Sequence, residues 1–308
     1  LRTGTNLMLT PWGDFAVADA HVHFFSRKFF SALGSQAGKT AEQVAETAGW
    51  VLPADDPAEL ARSWVAELDA QGVTRAALIA SIPGDESSVE SAVAEFPQRF
   101  FGFFMVNPLE EGAVERVRIA LRCGLHAVCL FPGMHRYPVS DPRAEAVLQA
   151  AASFDRRAVF VHCGVLTVGI RKKLGLGSPF DMRFANPLEL HGPALRYPGL
   201  KFVVPHFGAG YLREALMLAD LCPNVYLDTS SSNSWMRYEG LDLKTVFRRA
   251  LDVVGAQRLL FGTDSSYFPR GWNYAIFEAQ TRAMLDLGIS SADARLIIGE
   301  NLPPMFAG

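Results

Sequence analysis

Five residues with metal-ligating side chains stand at the ends of apolar runs in this chain. His21 and His23 are two apart in the segment ADAHVHF, so on an extended backbone their side chains point to the same face. His162, His206 and Asp264 each close a further apolar run. Imidazole and carboxylate groups suit zinc and related divalent metals, and an open position on such an ion holds a reactive water. The set therefore predicts a metal site if the fold brings the five side chains together.

Short apolar runs alternate along the chain with longer amphipathic stretches. Most runs are apolar throughout, as is typical of strands that are buried on both faces. The predicted strands cover residues 15–24, 75–82, 100–107, 125–132, 158–164, 201–208, 224–231 and 258–265. The clearest helical stretches cover residues 57–72, 141–154, 211–222 and 243–255.

This β-then-α alternation predicts an α/β fold, a (β/α)8 TIM barrel formed as a single domain by residues 1–308. A doubly wound open sheet is the alternative, although such a sheet usually has about six strands and the chain lacks its glycine-rich phosphate fingerprint. Barrel active sites lie at the carboxyl ends of the strands, where the five residues stand. Three long connections, residues 25–57, 165–186 and 231–242, follow the first, fifth and seventh strands and are predicted to be loop insertions that wall or cover the site.

Composition narrows the classes of function. Of the 308 residues 49% are apolar and 20% are charged, which argues against disorder. The net charge of −3 offers no basic excess for nucleic acid. No apolar run approaches the roughly 18 residues that a membrane helix needs, so no membrane partner is expected. The four cysteines show neither metal nor disulfide spacing, which favours a cytoplasmic location. A homodimer is the default expectation for the oligomeric state, because dimers are the commonest oligomers.

The segments that carry the histidines and the aspartate resemble those of a known family. ADAHVHF, VFVHCG, VVPHFGAG and LLFGTDSSYF are similar to the metal-binding segments of the amidohydrolase superfamily. The closer resemblance is to the amidohydrolase-related branch that includes aminocarboxymuconate-semialdehyde decarboxylase and predicted metal-dependent hydrolases of TIM-barrel fold. It runs from about residue 15 to the end, where Pro303 and Pro304 interrupt the branch's closing motif.

The resemblance implies a role for each of the five residues. His21, His23, His162 and Asp264 match the ligands of the members with one metal, and His206 matches a histidine that acts beside the metal. Members with two metals commonly carry a carboxylated lysine in the fourth strand, but the corresponding HAVCLFP has no lysine. One divalent ion is therefore implied, Zn²⁺ by preference, with Mn²⁺ or Fe²⁺ as substitutes.

Two reactions are consistent with such a site. In the hydrolysis of a lactone, ester or amide, the metal lowers the pKa of its water to about 7, Asp264 carries the proton to the leaving group, and His206 polarises the carbonyl. A decarboxylase (carboxy-lyase) for an aromatic or muconate-like acid would use the same residues to protonate an unsaturated carbon. Hydrolysis is preferred because HFGAGYLREAL resembles the predicted-hydrolase members. A barrel that binds a ligand without catalysis, or that acts without metal, is a further interpretation.

The substrate is expected to be a small molecule that bears a carboxylate. Arginine pairs with a carboxylate through two parallel hydrogen bonds, and several arginines follow predicted strands. The candidate substrate-binding residues are Asn107, Arg136, Arg171, Arg183, Asp228 and Arg270. The run from Arg171 to Lys173 is most simply interpreted as a solvated face.

Overall fold

The sheet at the centre of the molecule consists of eight parallel strands. The structure is a computed structural model that describes residues 7–230 and 233–306. The strands follow one another around the sheet in chain order. Its two edges meet where Val22 pairs with Ser265, and the His23 amide donates to the Ser265 carbonyl at 2.7 Å. The sheet therefore closes into a (β/α)8 barrel, which confirms the predicted fold over the open sheet.

The barrel is preceded by a short antiparallel hairpin, β1 (Met8–Thr10) and β2 (Gly13–Phe15). The strands of the barrel are β3 (Val17–Phe24), β4 (Val73–Ala80), β5 (Phe100–Val106), β6 (Ala127–Leu130), β7 (Ala158–Val161), β8 (Lys201–Val204), β9 (Val225–Asp228) and β10 (Leu259–Leu260). Each of the eight predicted runs overlaps one of these barrel strands, whereas the hairpin was not predicted.

Helices connect the strands, and the four predicted amphipathic stretches are α3, α7, α10 and α11. The helices are α1 (Arg27–Ala37), α2 (Ala41–Ala48), α3 (Pro57–Gln71), α4 (Glu86–Glu95), α5 (Ala113–Arg122), α6 (Pro132–His135), α7 (Pro142–Ala152), α8 (Gly169–Lys173), α9 (His191–Arg196), α10 (Leu212–Leu221), α11 (Leu243–Val254), α12 (Tyr274–Asp286) and α13 (Ser291–Arg295). Short 3-10 turns are Met182–Phe184, Pro187–Leu190, Pro205–Gly208, Asn233–Tyr238, Ala256–Arg258 and Pro303–Met305, and Leu296–Glu300 is a π-helical turn. No helix in the described ranges has the length and apolar character needed to cross a membrane.

Alternate side chains of the strands build two apolar layers. One set packs outward against the helices, and includes Val22 and Leu78, while the other fills the barrel and includes Ile79. Phe306 packs against the barrel filling at the amino ends of the strands, where its ring centroid is 5.2 Å from that of Phe101. The amino end of the barrel is thus filled with side chains, and the site lies at the other end.

A separate apolar cluster forms a cap, which we define as α1, α2 and α8. Phe30 of α1, Val44 of α2 and Ile170 of α8 share this cluster, which is distinct from the two barrel layers. The cap belongs to the connections 25–57 and 165–186, which follow β3 and β7 at the carboxyl end of the barrel. Of the third predicted connection, residues 231 and 232 lie outside the described residues, and the remainder includes the turn Asn233–Tyr238.

Candidate metal centre and active site

His21, His23 and Asp264 meet at the carboxyl ends of the barrel strands. Both histidines come from β3, and Asp264 lies in the loop after β10. Asp264 Oδ1 is 3.5 Å from His21 Nε2 and 3.2 Å from His23 Nε2. One ligand atom from each of the three residues lies within 4.8 Å of the other two. This separation is one that a single divalent ion can bridge, since ligand bonds to zinc are about 2 Å long.

His162 and His206 lie beside this group of three. The His206 ring centroid is 4.9 Å from that of His21 and 5.3 Å from that of His162. His162 follows β7, and Phe131 stacks on its ring at 5.4 Å. The His162 Nε2 atom is buried and has no hydrogen-bond partner in the described part of the chain. Buried polar atoms are normally paired, so this nitrogen is available for a ligand.

The backbone around the site adopts conformations that are unusual for residues with side chains. Asp264 and His206 have φ angles of 58° and 55°, in the left-handed region that costs free energy for L-residues. The Asp264 amide donates to the His21 carbonyl at 3.0 Å, which fixes the loop on β3. A Cβ atom at Gly262 would lie 2.8 Å from Asp228 Oδ1 and 3.0 Å from His21 Cβ, so only glycine fits there.

Polar side chains hold the Nδ1 atoms of the histidines. Asp228 Oδ2 is 2.6 Å from His21 Nδ1, and Ser81 Oγ is 2.8 Å from His23 Nδ1. Ser230 Oγ is 2.9 Å from His21 Nδ1. Because Nδ1 is occupied in both rings, their Nε2 atoms are left for a metal ion, as in known sites where an outer hydrogen bond orients a ligating imidazole.

Asp19 joins β3 to the loop that carries Asp264. Its buried carboxylate accepts hydrogen bonds from the His21 amide at 2.8 Å, the Thr263 hydroxyl at 2.5 Å and Trp272 Nε1 at 2.7 Å. Burial raises the pKa of Asp19 to about 6, although these hydrogen bonds lower it in part. Asp19 thereby fixes the spacing of the three potential ligands.

Burial keeps most of the site histidines neutral at neutral pH. It lowers the pKa of His23 and His206, and lowers that of His162 well below its usual value. His21 differs: burial acts to lower its pKa, but the charge and hydrogen bond of Asp228, together with the charges of Asp264 and Asp19, raise it overall. Neutral imidazoles are the form that binds metal.

Asp264 is ionised in this surrounding. Burial acts to raise the pKa of Asp264, but the hydrogen bond with His23 and the nearby imidazoles lower it well below its usual range. An ionised carboxylate beside neutral imidazoles is the donor set that a divalent transition metal prefers.

A cavity of about 380 Å³ opens above these residues. Aromatic rings from the connection after β3 and from the loop after β10 line one side of it. Phe25 stacks on Phe29 with centroids 3.9 Å apart, and Trp50 stacks on Tyr267 at 4.0 Å. Such walls favour an apolar or planar ligand group.

Two cationic side chains line the same cavity. Lys173 Nζ donates to the Ala48 carbonyl oxygen at 3.0 Å. Arg270 donates to the backbone carbonyl oxygen of Asp264 at 2.9 Å, and its guanidinium lies 4.8 Å from the Tyr267 ring centroid. Asp264 is the only acidic residue among the described residues that line the cavity. The cavity therefore suits an anionic ligand.

The six predicted substrate-binding residues differ in their position relative to the cavity. Arg270 lines the cavity and Asp228 lies buried beneath it. The other four candidates do not line the cavity and bond elsewhere: Asn107 to Glu110, Arg136 to the Pro179 carbonyl, Arg171 to Gln36 and Arg183 to Asp181. The sequence analysis interpreted Lys173 as part of a solvated face, whereas the structure places it at the cavity. Sequence reasoning missed Ser81 as a histidine partner. The only available signal for Ser81 was its position directly after β4.

A group of potential metal ligands at the carboxyl ends of a parallel barrel is typical of metal-dependent TIM-barrel enzymes. The sequence model of the family described as Amidohydrolase matches residues 18–301. The chain therefore belongs to the amidohydrolase family, as its motifs predicted.

Three known proteins illustrate the similarity. Protein fluG of Emericella nidulans is 34% identical over 96 residues, which are 31% of this chain and only 11% of that protein. A probable 2-pyrone-4,6-dicarboxylic acid hydrolase from Acinetobacter baumannii is 16% identical, with 95% of this chain and 99% of that chain covered and a TM-score of 0.60. A 5-carboxyvanillate decarboxylase from Novosphingobium aromaticivorans, solved with bound manganese, is 16% identical, with 99% of both chains covered and a TM-score of 0.62. At these identities the two structural similarities establish the fold.

Proposed function

We propose that this amidohydrolase-family enzyme is a hydrolase that uses one divalent metal ion to cleave a small carbonyl compound, a lactone, ester or amide, that bears a carboxylate. The observation that carries the proposal is the convergence of His21, His23 and Asp264, which each bring one ligand atom within 4.8 Å of the other two. Asp264 Oδ1 is 3.5 Å from His21 Nε2 and 3.2 Å from His23 Nε2. The Nδ1 atoms of both histidines are bonded to other side chains, so the Nε2 atoms are free to ligate.

The proposed ligands are His21, His23, His162 and Asp264. The unpaired, buried Nε2 of His162 supports its inclusion, although His162 is not one of the three residues whose ligand atoms converge. Zn²⁺ is the preferred ion, with Mn²⁺ or Fe²⁺ as substitutes. A single ion is proposed because β6, the fourth barrel strand, has the sequence AVCL and lacks a lysine.

The ion would supply a water whose pKa is lowered to about 7, and thus a nucleophile near neutral pH. Asp264 is 28% exposed and ionised, so it can take a proton and return it to the leaving group. His206 lines the cavity and is placed to hydrogen-bond the carbonyl oxygen of the substrate. Lys173 and Arg270 are placed to bind the substrate carboxylate.

Decarboxylation of an aromatic or muconate-like acid is the second candidate. The stacked aromatic side chains and the two cations of the cavity favour it specifically, because a planar acid matches both features. The same Asp264 or His206 would then deliver a proton to the carbon that loses carbon dioxide. In this case the carboxylate is consumed, whereas in hydrolysis it only anchors the substrate.

The two reactions are separated by their products. Zinc- or manganese-loaded protein would be incubated with lactones, esters and amides that bear a carboxylate, and with aromatic and unsaturated acids. We expect acid release from the first group, lost in Asp264→Asn and retained in Asp286→Asn, which removes an exposed carboxylate at the end of α12. Carbon dioxide release from the second group would contradict hydrolysis and support decarboxylation. Turnover that persists in Asp264→Asn would refute both.

A further inference from the structure

The buried hydroxyl group of Ser230 lies between two of the site histidines. Ser230 Oγ is 2.9 Å from His21 Nδ1 and 2.8 Å from His206 Nδ1. These ring nitrogens are its hydrogen-bond partners within the described ranges. A hydroxyl group has one hydrogen, so it can donate to only one of the two rings. Which ring receives that hydrogen determines where the proton of His206 resides.

Asp228 determines the direction of this hydrogen bond. Its Oδ2 is 2.6 Å from His21 Nδ1, and its Oδ1 accepts from the Ser230 amide at 2.5 Å. A carboxylate can only accept hydrogen bonds, so the hydrogen between Asp228 and His21 must be on Nδ1. The Ser230 hydroxyl oxygen therefore faces the Nδ1–H group of His21 and does not donate to that ring. The hydrogen of the Ser230 hydroxyl group is then free to donate to His206 Nδ1.

We propose that Ser230 is a positioning residue that holds neutral His206 in the tautomer with its hydrogen on Nε2. Nδ1 is turned toward Ser230, so this tautomer presents an N–H group to the cavity. Such a group can stabilise negative charge on a carbonyl oxygen, whereas the lone pair of the other tautomer would repel it. The catalytic consequence rests on the proposed function, but the tautomer is a property of the chain alone.

The structure also indicates what His206 does when the hydroxyl group is absent. The Ser230 carbonyl oxygen is 3.2 Å from His206 Nδ1 and can accept a hydrogen bond from it. In Ser230→Ala this carbonyl becomes the remaining partner, and it favours a hydrogen on Nδ1. Removal of one oxygen atom should thus reverse the tautomer.

The tautomer can be observed by two-bond ¹H–¹⁵N correlation NMR on protein labelled with ¹⁵N-histidine, with His206 assigned by its loss in His206→Asn. We expect Nε2 to carry the hydrogen in the wild type and Nδ1 to carry it in Ser230→Ala. Thr229→Val is the matched control, since it removes a neighbouring buried hydroxyl group that bonds to Gln280 at 2.6 Å. Its His206 signals should match the wild type.

A hydrogen on Nδ1 in the wild type would overturn the proposal, and so would an unchanged tautomer in folded Ser230→Ala. The wild-type spectrum decides the question even if the variant does not fold. It can also be recorded without metal, so failure of the proposed metal site would leave this test intact. With a substrate in hand and the metal at saturating concentration, Ser230→Ala should lower kcat about 100-fold at unchanged KM, whereas unchanged kcat would refute the catalytic consequence.

Discussion

The contact between Asp228 and His21 provides a quantitative test of the metal site. Asp228 is fully buried, and its Oδ2 lies 2.6 Å from the Nδ1 of a proposed ligand. Asp228→Asn keeps the shape of the side chain but removes the carboxylate that makes the imidazole a stronger donor. Loss of such an outer partner typically costs about 10- to 100-fold in metal affinity, or about 1.4–2.7 kcal/mol. We expect zinc affinity to fall by this amount at about pH 8, where fewer protons compete for His21 than at lower pH.

The same substitution should also flatten the pH dependence of zinc binding. Asp228 raises the pKa of His21, so in the wild type protons compete for this ligand from a higher pH downward. Without Asp228 the pKa of His21 falls, and competition begins only at lower pH. The loss of affinity should therefore be smaller at about pH 6 than at about pH 8.

Competition titration with a chromophoric zinc chelator measures both effects. Asp286→Asn, in which an exposed aspartate is changed, should bind zinc as the wild type does. Unchanged affinity in Asp228→Asn at about pH 8 would refute the role of Asp228 as a support for His21. A loss of similar size at both pH values would refute the argument from the pKa of His21.

Three further predictions test the cavity and the barrel. Arg270→Gln and Lys173→Gln should each raise KM for a carboxylate-bearing substrate about 10-fold with little change in kcat, and a neutral analogue should be unaffected in steady-state assays. Phe306→Ala should lower the free energy of unfolding by about 3 kcal/mol in urea titrations, because it leaves a cavity at the amino end of the barrel, and a change below about 1 kcal/mol would contradict this packing. Burial lowers the pKa of His126 to about 4, so the unfolded state binds protons first as pH falls. Stability should therefore decrease from about pH 6.5 to about pH 4, and His126 should contribute at most about 3 kcal/mol of this decrease. Urea titrations of His126→Asn should lack the His126 contribution.

The barrel strands could be predicted because each is buried on both faces and therefore appears as a continuous apolar run. The spacing of His21 and His23 placed both on one face, and their closeness to Asp264 followed from the shared carboxyl end of the barrel. The hairpin of β1 and β2 could not be predicted, since its three-residue strands are too short to establish a period.

The residues that line the cavity could not be predicted fully, because their positions depend on tertiary contacts that local sequence does not encode. Lys173 appeared to be part of a solvated run, but the packing of α8 against α2 brings it to the cavity. Arg183 was a reasonable candidate from its type and position, yet Asp181, two residues earlier, holds it at 2.6 Å. The partnership of Ser230 with two histidines depends on three strands meeting, which only the closed barrel produces.

The most direct test of the metal site is elemental analysis of the purified protein beside a variant that combines His21→Ala and His23→Ala. The ligand set predicts one equivalent of zinc, manganese or iron per chain after reconstitution, and a clear loss in the double variant. Absence of metal from the reconstituted wild type, or equal metal in both proteins, would contradict the central claim that these residues form a metal centre.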